Sequence, residues 1–174
     1  MRKITKRILF ISIPMVCLII GIAGYYYVKR SGPSSLPDIT LETLDGNTMT
    51  LQSLRGKPAL IVFWASTCAI CLKEMPRLIN LYHTYAPQGL EVIGIVIYYN
   101  NPTEAAAMVE ERQIPYRILL DRNKQATHAF GNVHFTPSTF LISPSGKIVY
   151  RQTGLTNFDA IEQSIKNYLG TEKD

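Results

Sequence analysis

The chain has 174 residues, 47% of them hydrophobic and 18% charged, enough for one domain of ordinary size plus a short extra segment. Its formal charge of +5 is unevenly placed: residues 1–30 hold six Lys/Arg and no acid, which leaves twelve basic against thirteen acidic groups in the remainder. The globular part is therefore near neutral, and it carries no basic patch of the kind a polyanion requires, so no nucleic-acid partner is expected.

Residues 1–7 read as a basic cytoplasmic tail. Ile8 to Val28 contains no charged residue; about 21 apolar residues suffice to cross a hydrocarbon core of roughly 30 Å as one helix. Tyr25, Tyr26 and Tyr27 stand at its far end, where amphipathic rings favour the interface. Arg2, Lys3, Lys6 and Arg7 precede the segment and only Lys29 and Arg30 follow it, an asymmetry that places the N-terminus inside and the rest outside the cytoplasm. A cleaved signal peptide is the competing reading, with Ala23 and Gly24 small enough for a cleavage site, but the apolar stretch exceeds a usual signal core. Cys17 lacks a small residue before it, so it reads as a membrane-buried thiol with no redox role. Residues 29–36 are a Ser/Gly/Pro-rich linker, and 37–174 form the folded domain.

The domain opens on Asp38–Leu41 and Thr48–Leu51 flanking Leu44-Asp45-Gly46-Asn47, a hairpin pattern. Ala59–Trp64 is a continuous apolar run, a buried central strand. Cys68 to about Tyr85 is predicted helical, with Leu72, Met75, Leu78, Ile79 and Tyr82 on one face and Pro76 as an internal interruption. Strands follow at Leu90–Ile97, Tyr116–Leu120, Ser138–Ile142 and Lys147–Gln152. Helices are predicted at Pro102–Arg112 and Lys124–Phe130, and a last one, capped by Thr156 or Asn157, runs to about Leu169. Strands alternating with helices indicate an α/β fold with a mixed sheet covered on both faces.

Cys68 and Cys71 are the domain's only cysteines. Three apart on the first turn of a helix, they fall within the Cα separation a disulfide needs. The helix start also aims unpaired N–H groups at the first sulfur, which favours its thiolate. A bridge closing so small a loop constrains little of the unfolded chain, so thiol–disulfide exchange fits better than a structural disulfide. A structural zinc site wants four Cys/His ligands, and His83, His128 and His134 lack ligand spacing; no metal or cofactor is expected. Glu74 lies one turn beyond Cys71, so if a buried acid exchanges protons with that thiol, Glu74 is the candidate.

Several motifs occur together and in order: Asp38-Ile39-Thr40-Leu41, Leu44-Asp45-Gly46, Leu54-Arg55-Gly56-Lys57 and Phe63-Trp64-Ala65-Ser66. They continue with Cys68-x-x-Cys71-x-x-Glu74-Met75-Pro76, Phe130-Gly131, Thr136-Pro137-Ser138-Thr139-Phe140-Leu141-Ile142 and Gly146-Lys147-Ile148. In these the chain resembles the membrane-anchored, thioredoxin-fold TlpA/ResA-like disulfide reductases over nearly all of residues 36–169. The resemblance implies a thioredoxin fold with an N-terminal β-hairpin and a central strand–helix insertion at about 86–115, preceded by one transmembrane helix. It implies Cys68 as nucleophile, Cys71 as resolving thiol, Glu74 as the acid near the thiols and Pro137 as a cis-proline facing them. Thr136, Trp64 and Thr67 are the candidate substrate contacts, with Trp64 reading more as core or near-site packing than as a surface on which a ligand stacks. Implied partners are a transmembrane thiol electron donor and oxidised proteins, such as apocytochrome c or copper-site proteins with paired cysteines.

Two departures stand out. The family commonly has Trp before the first cysteine and Pro before the second; here they are Thr67 and Ile70. The potential therefore does not follow by analogy. His134, three before Pro137, would complete a Cys/Cys/His set for copper, which supports a metallochaperone for oxidase assembly as the alternative. A thiol peroxidase wants Thr or Ser three before the reactive cysteine, where this chain has Ala65. Tyr98, Tyr99, Asn100 and Asn101 form a polar-aromatic loop at the strand edge where such sheets place their sites.

Overall fold

The computed structural model describes residues 18–22 and 33–170. The chain divides into two compact units, Met1–Gly32 and Pro33–Asp174. In the first, residues 18–22 are helical, and Leu18, Ile19, Ile20 and Ile22 are exposed. Among the described residues no helix is long and apolar enough to cross a membrane. The basic tail, Cys17 and most of the span expected at 8–28 lie outside the described residues.

The second unit holds β1 (Thr40–Thr43), β2 (Thr48–Thr50), β3 (Ala59–Trp64), α1 (Ala69–Tyr85), β4 (Glu91–Val96) and α2 (Pro102–Glu111). After these come β5 (Arg117–Leu120), α3 (Gln125–Ala129), β6 (Ser138–Ile142), β7 (Ile148–Thr153) and α4 (Phe158–Gly170). Seven strands form one sheet in the order β2-β1-β5-β4-β3-β6-β7. β3, β4 and β5 are parallel neighbours; β6 lies antiparallel to β3, and β7 to β6. This is a thioredoxin-like α/β arrangement with a hairpin on the β5 edge; β4 lies within the sheet between β3 and β5, and α2 connects it to β5.

Every residue of β3 is buried, and the period of two splits them between two cores. Leu60, Val62 and Trp64 pack with α1 and α4, through Met75, Leu78, Leu81, Phe158, Ile161 and Ile165. Ala59, Ile61 and Phe63 pack on the other face with Leu51, Leu54, Phe130 and Phe140. There the Phe63 ring lies 5.4 Å from that of Phe130 and 5.8 Å from that of Phe140. Full burial of each such ring stabilises the fold by about 1.5–3 kcal/mol.

Three expectations change in detail. β2 ends at Thr50, and Leu51–Leu54 form a 3-10 turn instead. Its i, i+3 geometry aligns Leu51 and Leu54 on one face, and both are buried. The linker expected to reach residue 36 is shorter, because Leu36 is buried and its N–H bonds to the Gly146 carbonyl at 2.8 Å. The buried stripe of α1 is Cys71, Glu74, Met75, Leu78, Leu81 and Tyr85, while Leu72, Ile79 and Tyr82 are half-buried beside it. The helix runs through Pro76, which has no N–H to offer the Leu72 carbonyl.

Candidate active site

Sheet register brings four loops to one edge. In β3 Phe63 pairs with Ser138 of β6, so the residues before β6 meet the end of β3 and the loop that carries Cys68. Ser138 pairs in turn with Thr153, which places the loop after β7 beside Pro137; the Gly154 N–H bonds to the Pro137 carbonyl at 2.8 Å. Trp64 pairs in parallel with Val96, so the loop after β4 emerges at the same edge. Asn100, buried there, accepts from Ser66 N–H at 3.0 Å and from Ser66 Oγ at 2.8 Å, fixing the approach to the cysteines.

Cys68 is the N-cap of α1 and forms a disulfide with Cys71, their Cα atoms 5.2 Å apart. The Cys68 Sγ accepts the Cys71 N–H at 3.2 Å. Cys68 is half-buried, whereas Cys71 is 3% exposed. The reachable sulfur is thus the one that a backbone donor and the helix start both favour as a thiolate.

Behind the disulfide a narrow cavity of about 10 Å³ is lined by Trp64, Cys71, Glu74, Gly94, Tyr116 and Pro137. Glu74 is 5% exposed, and its carboxylate accepts twice from one residue: Thr156 N–H to Oε1 at 2.6 Å and Thr156 Oγ to Oε2 at 2.9 Å. Thr156 Oγ also lies 3.0 Å from Thr139 Oγ on β6. Asn157 caps α4 through the Ala160 N–H, which leaves Thr156 for Glu74. Burial pushes the Tyr116 hydroxyl well above its ordinary pKa. Trp64 is buried, and its Nε1–H has no hydrogen-bond partner among the described residues.

The Thr136–Pro137 peptide bond is cis, and Pro137 is buried against the cavity. Thr136 is half-buried with its Oγ 3.4 Å from Tyr99 Oη. Thr67 is exposed beside Cys68. Trp64, the last residue of a fully buried strand, lies behind the disulfide beside Gly94 and Tyr116, as near-site packing. His134 is exposed, and among the described residues no three His, Cys, Asp or Glu side chains come together as a metal site. A separate cleft of about 710 Å³, between the hairpin and α2, is lined by Arg117 and Ile118 at the start of β5, the opposite end of the sheet from the disulfide.

Sequence reasoning missed Thr156 as the partner of Glu74 and Asn100 as the anchor of Ser66. Both pairings join residues far apart in the chain, and the only signal was that two adjacent residues competed for one helix cap.

Comparison with known proteins agrees with this geometry. The sequence pattern of the AhpC/TSA family matches residues 34–151. The thiol-disulfide oxidoreductase ResA of Bacillus subtilis is 29% identical over 97% of this chain and 95% of its own. ResA of Geobacillus kaustophilus is 32% identical over 77% and 76%. Among solved structures, a protein of Chlorobium tepidum assigned as a thiol:disulfide interchange protein of DsbE type is similar with a TM-score of 0.71 and 25% identity, over 80% of this chain and 99% of that one.

Proposed function

We propose, from the premise that this chain belongs to the AhpC/TSA family and is a thiol–disulfide oxidoreductase of the ResA type, that it reduces protein disulfides outside the cytoplasm while tethered to the cytoplasmic membrane. The observation that carries the reading is the asymmetry of the pair, a reachable Cys68 sulfur receiving a backbone N–H and a buried Cys71 behind it. In the reduced protein the Cys68 thiolate attacks one sulfur of a substrate disulfide. A Cys68–substrate bond forms, the substrate S–S bond breaks, and one substrate thiolate leaves. Cys71 then gives up its proton and attacks Cys68 Sγ, restoring the Cys68–Cys71 bond and releasing the second substrate thiol. Two electrons pass to the substrate, and a transmembrane thiol carrier returns them.

Glu74 supports the second step as the buried carboxylate that shares a cavity with Cys71. Thr67, exposed beside Cys68, and the half-buried Thr136, before the buried Pro137, are the positions against which an extended substrate segment would lie. The uncharged stretch 8–28 with its basic flank supports the tether and the outward orientation. Candidate substrates are apocytochrome c or copper-site proteins whose cysteines must be reduced before metal or haem is attached.

The test uses the full-length chain. Its dithiol form should reduce insulin disulfides, Cys68→Ser should abolish this, and the chain should sediment with membranes and be digested by protease added from outside. A chain that leaves insulin untouched but holds copper(I) through Cys68 would replace this reading with the metallochaperone.

A further inference from the structure

Between residues 33 and 170 the large apolar side chains that stand exposed are Ile70, Tyr99, Phe135, Val149 and Leu155. Ile70 lies in the first turn of α1, and Tyr99, Phe135 and Leu155 lie on the loops that meet at the disulfide. Ile70 sits between the two cysteines. Phe135, 71% exposed, is two residues before Pro137, its carbonyl held by Ser138 Oγ at 2.8 Å. Tyr99 reaches the same loop through Thr136 Oγ. Leu155, 62% exposed, stands between Gly154, bonded to Pro137, and Thr156, bonded to Glu74. The four segments that carry them, 66–70, 98–101, 134–137 and 153–156, contain no Asp, Glu, Lys or Arg. Thr67 and Ala69, the exposed neighbours of Cys68 in sequence, offer only a hydroxyl and a methyl group.

An extended chain advances about 3.3–3.6 Å per residue. Once a substrate sulfur is bonded to Cys68, its flanking residues therefore fall on this rim, whatever the rest of the partner looks like. Apolar exposure gathered at one reactive atom on an otherwise ordinary surface marks a contact site. We infer that Ile70, Tyr99, Phe135 and Leu155 form an uncharged collar that selects protein segments in which the reactive cysteine is flanked by apolar residues, with Phe135 the main specificity-determining side chain. The inference rests on the reading that Cys68 exchanges with protein disulfides. Phe135 and Leu155 project from anchored backbone, so little ordering accompanies contact; the charges nearest the rim are Glu104, whose carboxylate lies 3.3 Å from Ser66 Oγ, and Lys124, over the Tyr98 ring.

The test compares two disulfide-linked peptide pairs in which each cysteine is flanked by Leu or by Ser, with hydroxyethyl disulfide as a small control. Wild-type dithiol protein should reduce the Leu-flanked peptide with a kcat/KM about tenfold above the Ser-flanked one. Phe135→Ser should remove most of that preference and Phe135→Leu should restore it, while hydroxyethyl disulfide is reduced equally by all three. An unchanged preference in Phe135→Ser, or no preference in the wild type, overturns the inference. Concentration-dependent dimerisation abolished by Phe135→Ser would assign the collar to a second copy and also overturn it. Failure to reduce any of the substrates, hydroxyethyl disulfide included, would remove the exchange function itself and this inference with it.

Discussion

Replacing Glu74 separates its structural load from its chemistry. The carboxylate is 5% exposed and accepts both polar hydrogens of Thr156, the backbone N–H at 2.6 Å and the hydroxyl at 2.9 Å. Glu74→Ala leaves two buried donors without an acceptor. At about 1–3 kcal/mol for each group left unsatisfied, partly relieved by the Thr156 hydroxyl turning toward Thr139, the expected loss is about 3 kcal/mol. That is a large share of a domain stability of about 5–15 kcal/mol. Glu74→Gln can keep both contacts: its carbonyl oxygen accepts from the Thr156 N–H, its amide donates to Thr156 Oγ, and that hydroxyl then donates to Thr139 Oγ. Only the charge assistance is lost, about 1 kcal/mol. The assay is urea unfolding of the oxidised proteins, so that both variants carry the same disulfide. Alanine should cost at least twice what glutamine costs. Equal losses, or a loss under about 1 kcal/mol for alanine, would show that the Glu74–Thr156 pair does not hold α1 to the loop before α4. In the reduced state, Glu74→Gln should shift the pH profile of Cys71 alkylation; an unchanged profile would remove its part in proton exchange.

Gly94→Ala places a Cβ 2.6 Å from Ile118 Cδ1 and 3.0 Å from Trp64 Nε1, inside the cavity behind Cys71. Overpacking of this kind should lower stability by about 1–3 kcal/mol in urea melts, and a neutral result would mean the cavity wall yields freely. Asp121 is buried and accepts from Ala126 N–H at 2.8 Å, Thr127 N–H at 3.0 Å and Thr127 Oγ at 2.6 Å, so Asp121→Ala should lose about 2–4 kcal/mol by thermal melting while Asp121→Asn loses less. The hydrogen bonds from Arg122 hold the Glu42 carboxyl below its ordinary pKa. Because the folded chain then binds that proton only at lower pH than the unfolded chain, the stability it adds is present above the unfolded value and lost as pH falls through the folded one. Arg122→Ala should therefore lose a small increment at pH 7 and none at pH 2, and a loss of equal size at both would contradict the linkage.

How far the sequence could be read depended on the range of each interaction. β3 was legible residue for residue because six consecutive apolar positions, bounded by Pro58 and Ala65-Ser66, admit few alternatives to a buried strand. The helix behind the disulfide was legible from its period, and the Pro137 loop from a motif. What escaped were the pairings between distant segments. Thr156 looked like a helix cap, since Ser and Thr favour that role locally, but the neighbouring Asn157 takes the cap and frees Thr156 to meet Glu74 from across the fold. Leu51 looked like the end of a strand because strand and 3-10 turn both bury an occasional leucine, and only the three-residue spacing to Leu54 distinguishes them. The exposure of Phe135 is likewise a property of where β6 begins, invisible in its immediate neighbours.

The central assignment, a reachable attacking sulfur at Cys68 and a shielded resolving sulfur at Cys71, is tested most directly by trapping. With Cys71→Ser, the full-length chain expressed in cells should accumulate mixed disulfides through Cys68, released by reductant and identified by mass spectrometry, while Cys68→Ser accumulates none. Partners captured through Cys71 in the Cys68→Ser chain, with none captured through Cys68, would reverse the two roles and contradict the account.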